Sequence, residues 1–308
     1  IFPLTAILLY QKPLKSILVP MGVLLSSGLL WFYVRYQVVG GGISSVADNL
    51  MNDPFLGSSV SDKYATIVLT LGKYIQLLVF PHPLTYDYYP KQIPIVAWSN
   101  PMVILSLFTY LFLIGAAVFG LWKKKLYAFC ISVFLITLSI ASNLLFPIGA
   151  FMNERFVYVS SLGLSIYIAY LLLQYASKNK KSQRNAKIIM IAILGLYSIK
   201  TISRNPVWKN NLTLSTNDAN ISTNGAKSNV MAGGVLSEEA AKISDPVQQK
   251  KMYEESLFYL NRAITIYPDY VDALILMGNV QFDYSQEAKN AVPYYLRILS
   301  INASHANT

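Results

Sequence analysis

Charge is what this sequence has least of. Only 13% of its 308 residues are Asp, Glu, Lys or Arg, against about 25% in a soluble globular domain, while 54% are hydrophobic. Half of the usual solvating surface is missing, which argues against an ordinary soluble fold and for a membrane. Cysteine occurs once, so Cys130 cannot form an intramolecular disulfide and carries no information on redox compartment. The two histidines, His82 and His305, have no Cys or carboxylate cluster at ligand spacing beside them, so no metal site is readable. A Gly-rich phosphate loop, a Ser/His/Asp order and a nucleic-acid motif are absent. Acidic residues are scarce only in the first part: residues 1–203 hold 16 Lys and Arg against 5 Asp and Glu, and residues 204–308 hold 9 against 10. The +10 net charge therefore belongs to the apolar part, where it orients helices rather than binding nucleic acid.

What is present begins abruptly. The opening Ile-Phe-Pro-Leu-Thr-Ala-Ile-Leu-Leu-Tyr has no Met, no basic n-region and no small-residue cleavage site, so it does not read as a signal peptide. It reads as the second half of a membrane helix, and the expectation is an N-terminally truncated piece of a longer protein.

A spanning helix needs roughly 20 apolar residues. Ser16–Val39, Pro101–Trp122, Leu126–Phe146, Phe156–Ala176 and Ala186–Ile202 meet that requirement or nearly do, while Ile1–Tyr10 and Tyr64–Phe80, with Lys73 and Gln76 inside it, are weaker. Lys123, Lys124 and Lys125, and then Lys178, Lys180, Lys181, Arg184 and Lys187, mark two cytoplasmic edges by the positive-inside rule. The tip Pro147–Arg155, the loop Pro81–Asn100 and everything after Ser203 then face the other side. Lys12 and Lys15 do not fit this topology. Either they face outward or Tyr64–Phe80 is a re-entrant or interfacial segment, which Lys73 and its short length permit.

From Asn205 the pattern changes to short amphipathic helices with internal repetition. Ser256, Leu260 and Ala263 before Pro268, and Ala273, Leu274, Met277 and Gly278 after it, have the spacing of a tetratricopeptide repeat (TPR). Small residues there let antiparallel helices approach, and large ones fill the seam between repeats. A second unit continues with Ala291, Tyr295 and Ile298, and an earlier first helix is marked by Ala226, Lys227 and Gly233. Asn229 and Gln281 stand where the repeat consensus has an aromatic. The sequence thus reads as an all-α protein with a polytopic transmembrane domain, 1–203, followed by a soluble TPR-type α-solenoid, 204–308.

Polar groups collect at three places on the expected outer face. The loop Phe80-Pro-His-Pro-Leu-Thr-Tyr-Asp-Tyr-Tyr-Pro carries His82, Tyr86 and Asp87. Its tyrosines suit a membrane interface, and Asp87 reads as a base, a ligand holder or a turn cap. At the second place Glu154 and Arg155 stand at a helix entrance; Arg155 offers a planar fork for phosphate, and Glu154 either orients it, takes a proton or simply pairs with it. At the third, Arg204 and Trp208 anchor a helix at the headgroups, or Arg204 faces the same phosphate as Arg155. Mid-membrane charge and inverted repeats of the transporter kind are lacking.

Three stretches carry a resemblance to a known family: Pro81-His-Pro-Leu-Thr-Tyr-Asp-Tyr followed by Ile93-Pro94; Pro147-Ile-Gly with Glu154-Arg-Phe-Val-Tyr-Val-Ser-Ser-Leu-Gly163; and Arg204-Asn-Pro-Val-Trp208 leading into repeat helices. In this order they resemble the transmembrane and TPR O-mannosyltransferases (the TMTC family) of the GT-C superfamily. The resemblance implies transfer of a sugar, typically mannose, from a polyprenyl-phosphate donor to a hydroxyl of a protein or glycan acceptor on the non-cytoplasmic side. It implies Arg155 and Arg204 as donor-phosphate contacts, His82, Tyr86 and Asp87 as donor or acceptor loop residues, and Glu154 as a helper. The catalytic acid of the family lies upstream of Ile1, so the piece by itself is expected to be inactive. Membrane lipids are expected partners and nucleic acid is not. A divalent metal is left open, with no ligand set visible. The competing reading is a membrane-anchored TPR scaffold without catalytic activity.

Overall fold

The computed structural model describes residues 1–8, 10, 12–13, 15–39, 50–51, 53–145 and 147–301. Leu9 and Phe146 of two expected helices, His305, and the stretch 302–308 of the expected tail domain lie outside the described residues. Among the described residues the regular structure is helical throughout: α1 (Phe2–Leu8), α2 (Lys15–Val39), α3 (Val60–Val79), α4 (Pro101–Trp122), α5 (Leu126–Ser139), α6 (Val157–Ala176), α7 (Lys180–Arg204), α8 (Asn211–Ile221), α9 (Ala226–Ala240), α10 (Pro246–Ile266), α11 (Val271–Ser285) and α12 (Ala288–Ile301). They form two compact units. One holds Ile1–Phe80 and Val96–Ile193, and the other joins Pro81–Ile95 to the chain from Leu194 onward.

Among the described residues four helical stretches are long and apolar enough to cross a membrane: Lys15–Val38, Pro101–Trp122, Glu154–Ala176 and Lys180–Lys209. Their outward apolar side chains, such as Leu29, Phe112, Leu173 and Leu196, are exposed. That is the surface expected where lipid replaces water, and the chain reads as a multi-pass membrane protein.

The expected span Leu126–Phe146 is corrected. Its helix α5 has 14 residues, about 21 Å of rise, which falls short of the ~30 Å hydrocarbon core. Asn143 closes the loop that follows the helix. It takes a left-handed φ of 60°; its amide donates to the carbonyl oxygens of Ala150 (2.7 Å) and Phe151 (3.3 Å), and its Oδ1 accepts from Ile148 N (2.9 Å). Asn reaches this region at low cost because its side chain bonds locally. The loop so closed buries Phe151 and Met152, with Phe151 edge-on to Phe55 at 5.0 Å.

In the first unit α3 buries Ala65 through Leu71 and Tyr74. Its Ser59 cap accepts from Asp62 N. Val96 N donates to Thr66 Oγ1 (3.0 Å), Gly72 lies against Ser106 so closely that a Cβ would meet Ser106 Oγ at 1.9 Å, and Ile75, Leu78 and Val79 share a cavity wall with Thr109 and Leu113. Numbers rise together along both helices, so α3 and α4 run parallel. A parallel pair begins from one side, so the chain between them returns to that side. Helix α5 runs antiparallel to α6, with Thr137 Oγ1 donating to Ser160 Oγ (2.8 Å) and Gly163 against the Cys130 carbonyl.

The second unit stacks α8 to α12. Asn210 and Thr213 form a reciprocal capping box at α8, and Asp245 with Pro246 at N1 starts α10, a pairing suited to that position. Ser256, Leu260, Ala263, Ala273, Leu274, Met277, Ala291 and Ile298 are buried. Burying one Leu stabilises by about 2 kcal/mol. Gly233 admits α10: a Cβ there would lie 2.5 Å from Leu260 Cγ, and its carbonyl accepts from Ser256 Oγ (2.7 Å). Asn229, at a consensus aromatic position, is fully buried and donates to the carbonyls of Gly225 (2.7 Å) and Thr223 (3.3 Å). It fastens the turn entering α9 instead of filling a seam.

Candidate functional site

The candidate residues fall into two groups. His82, Tyr86, Asp87 and Arg204 belong to the second unit, and Glu154 and Arg155 to the first.

In the second unit the loop Pro81–Ile95 supplies bonds that three helix ends lack, since each helix leaves its first amides and last carbonyls without partners. At α9 the cap residue Gly225 has no side chain to offer, and the amides of Ala226 and Lys227 donate to the carbonyls of Pro90 (3.3 Å) and Tyr89 (3.2 Å). At the end of α10, Lys91 Nζ donates to the Ile266 carbonyl (2.7 Å). At the end of α8, Gln92 Nε2 donates to the Ile221 carbonyl (3.4 Å) and its Oε1 accepts from Asn224 N (2.9 Å).

Side chains tighten this docking. Asp218 is fully buried. Its carboxylate accepts from the Arg204 guanidinium at 2.7 Å and from Tyr86 N at 2.6 Å, while Arg204 also donates to Asn217 Oδ1 (2.9 Å). Charge-assisted bonds of this kind are about twice as strong as neutral ones. Asp87 pairs with Lys227 at 3.0 Å, and the Ser222 hydroxyl lies 2.9 Å from both the Thr85 hydroxyl and the Asp87 carbonyl. Lys200 Nζ donates to His82 Nδ1 (3.1 Å). Tyr88 and Tyr89 are buried, not spread over a surface. Burial, and then the neighbouring Asp87 carboxylate, push the Tyr86 phenol above its ordinary value.

In the first unit Asn153 caps the turn Glu154–Phe156 by accepting from Arg155 N (3.1 Å). Asn153 N donates to Tyr74 Oη (3.2 Å), which fixes this turn to α3. Arg155 is exposed, with its guanidinium 5.4 Å from the Phe156 ring centroid, and no carboxylate among the described residues pairs with it. It can meet an anion without giving up a partner; Arg204 has to release Asp218 first.

Asp218, Lys227 and Ser222 carry this arrangement, and sequence reasoning assigned none of them a place in it. Asp218 left one signal, being the only charged residue of α8. Among the described residues no three His, Cys, Asp or Glu side chains converge on a point.

No family model matches the chain, and no solved structure does. Among curated proteins it is 26% identical over 286 residues to "Protein O-mannosyl-transferase TMTC3" of Mus musculus, covering 91% of this chain and 29% of that protein. It is 26% identical over 291 residues to the Homo sapiens TMTC3, covering 92% and 30%, and 27% identical over 210 residues to Drosophila melanogaster Tmtc3, covering 66% and 21%. The chain is a distant homologue of these proteins and spans less than a third of their length.

Proposed function

We propose that this chain is part of a membrane glycosyltransferase that moves a sugar, mannose by analogy with its relatives, from a polyprenyl-phosphate donor to a hydroxyl of a protein or glycan acceptor on the non-cytoplasmic side. The observation that carries this reading is the extent of the similarity. It covers 91% of the chain and so runs through the membrane helices as well as the tail, whereas a repeat scaffold tethered by interchangeable helices calls for likeness in the tail alone.

The chemistry needs a carboxylate to activate the acceptor hydroxyl and a cation to stabilise the departing phosphate. Arg155 is the proposed cation, exposed at the entrance of the span Glu154–Ala176, with Glu154 beside it as helper. Arg204 and Asp87 are proposed as positioning residues that hold the loop carrying His82 and Tyr86 against the tail. The helices α8 to α12 are proposed to be a TPR-type stack that presents the acceptor, with 1–203 and 204–308 as the membrane and tail domains. No residue of this chain is proposed as the catalytic base.

The scaffold reading draws on one observation, that Asp87 and Arg204 are both engaged in structural pairs. The two readings part on one substitution. In the full-length protein, Arg155→Ala is expected to abolish transfer from a radiolabelled lipid-phosphate sugar, with expression intact. Unchanged transfer removes Arg155 from the reaction.

A further inference from the structure

Three Asn-X-Ser/Thr triplets occur in the sequence, Asn211-Leu-Thr213, Asn220-Ile-Ser222 and Asn302-Ala-Ser304, all of them within residues 204–308. The triplet is the acceptor pattern for an N-linked oligosaccharide, a bulky, solubilising group that needs a surface asparagine outside the cytoplasm. Asn302 lies outside the described residues, so the structure bears on Asn211 and Asn220. Both are exposed, at opposite ends of α8.

Asn220 is held in one orientation. Tyr259, buried in one cluster with Ala219, Ala232 and Leu236, donates its hydroxyl to Asn220 Oδ1 (3.2 Å). The amide carbonyl is thereby turned to the protein, and Nδ2, the atom that would carry the sugar, bonds to no described residue. An N-glycosyl amide keeps its carbonyl, so a glycan leaves the Tyr259 bond in place. Depth separates the two asparagines. The last stretch long and apolar enough to cross a membrane runs to Lys209. Asn211 stands two residues past it, a reach of about 7 Å even in a fully extended chain, no more than the headgroup layer of about 5–7 Å. Asn220 stands eleven residues past it, a reach of about 36–40 Å, which clears the headgroups and admits an enzyme. The third residue of its triplet, Ser222, is fully buried in the fold, its hydroxyl 2.9 Å from both the Thr85 hydroxyl and the Asp87 carbonyl. An enzyme has to read that hydroxyl, so transfer to Asn220 precedes docking of the loop Pro81–Ile95 on α8.

We infer that Asn220 is a modification site carrying an N-linked oligosaccharide. The covalent step belongs to a separate oligosaccharyltransferase. Nδ2 attacks C1 of an oligosaccharide bonded through that carbon to a diphosphate; the C1–oxygen bond breaks with its electron pair leaving on the diphosphate, the Nδ2–C1 bond forms, and one Nδ2 proton passes to a base of that enzyme. The inference rests on the non-cytoplasmic placement of the tail proposed above, and it does not depend on sugar transfer by this chain.

The test expresses the full-length protein in cultured eukaryotic cells, with Asn302→Gln to remove the third triplet and an Asn-Gly-Thr triplet in a flexible C-terminal tag as control. Denaturing gels before and after peptide N-glycosidase report the glycans without regard to how well a variant folds. Asn220→Gln is expected to lose one glycosidase-sensitive band step that Asn211→Gln keeps. Glycosidase digestion in heavy-oxygen water labels each asparagine that bore a glycan, and tandem mass spectrometry of the tryptic peptide 210–227 is expected to find the label at Asn220 and not at Asn211. Labels at both keep the site and overturn the depth argument. A label at Asn211 alone, or at neither while the tag is glycosylated, overturns the site and leaves the tail on the proposed side. If the tag stays bare as well, the tail is cytoplasmic and the site falls with its placement.

Discussion

Arg204 and Asp218 form a 2.7 Å ion pair in which the carboxylate is fully buried and the arginine side chain is 14% exposed. The same carboxylate holds the amide of Tyr86, so one acid ties the end of α7 and the loop Pro81–Ile95 to α8. Removing one member of such a pair leaves the other charge desolvated, which costs about 3–5 kcal/mol, while removing both costs less. Asp218→Ala should therefore expose the loop to limited proteolysis at a lower temperature than wild type, and adding Arg204→Ala should recover part of the loss. Equal protection in Asp218→Ala and wild type contradicts the pairing.

The neighbouring glycines of α9 are predicted to differ. A Cβ at Gly233 meets Leu260 Cγ at 2.5 Å, whereas one at Gly234 meets nothing nearer than Leu276 Cδ1 at 3.3 Å. Gly233→Ala forces α9 and α10 apart, an overpacking cost of about 1–3 kcal/mol. Gly234→Ala asks only the tip of the Leu276 side chain to give by a few tenths of an ångström, a cost set against the roughly 1 kcal/mol gain of Ala over Gly within a helix. Thermal unfolding of the two variants of the full-length protein, followed by helical circular dichroism, should place Gly233→Ala below Gly234→Ala. A Gly233→Ala midpoint at or above that of Gly234→Ala sinks the close-approach account.

The orientation proposed from the lysine clusters has its own check. A reporter that is active only outside the cytoplasm, fused after Asn220, is predicted to be active, and one fused after Lys124 silent. A cytoplasmic reporter after Asn220 reverses the proposed side of the tail.

The long apolar helices were legible because hydropathy over about 20 residues is a local property, and the same stretches that read as spans at Pro101–Trp122 and Phe156–Ala176 are spanning-length helices. The loop after α5 was not, since Asn143 closes it through carbonyls seven and eight residues ahead. The buried positions around Pro268 were legible from the spacing of small and large residues. The destination of the loop Pro81–Ile95 was not. Its bonds to Asp218, Ser222 and Lys227 span more than 130 residues, and no periodicity encodes a pairing at that separation. Arg204 shows the same limit: its basic, aromatic-flanked setting suggests headgroups or phosphate, and its partner is an isolated acid fourteen residues on.

Donor choice tests the central claim most directly. Full-length protein purified in lipid nanodiscs, offered radiolabelled mannose either on polyprenyl phosphate or on a water-soluble nucleotide, is predicted to label a protein or glycan acceptor from the lipid donor only. Protein that is folded, retains its helical content and yet transfers nothing from polyprenyl-phosphate mannose contradicts the glycosyltransferase account and leaves the scaffold reading in its place.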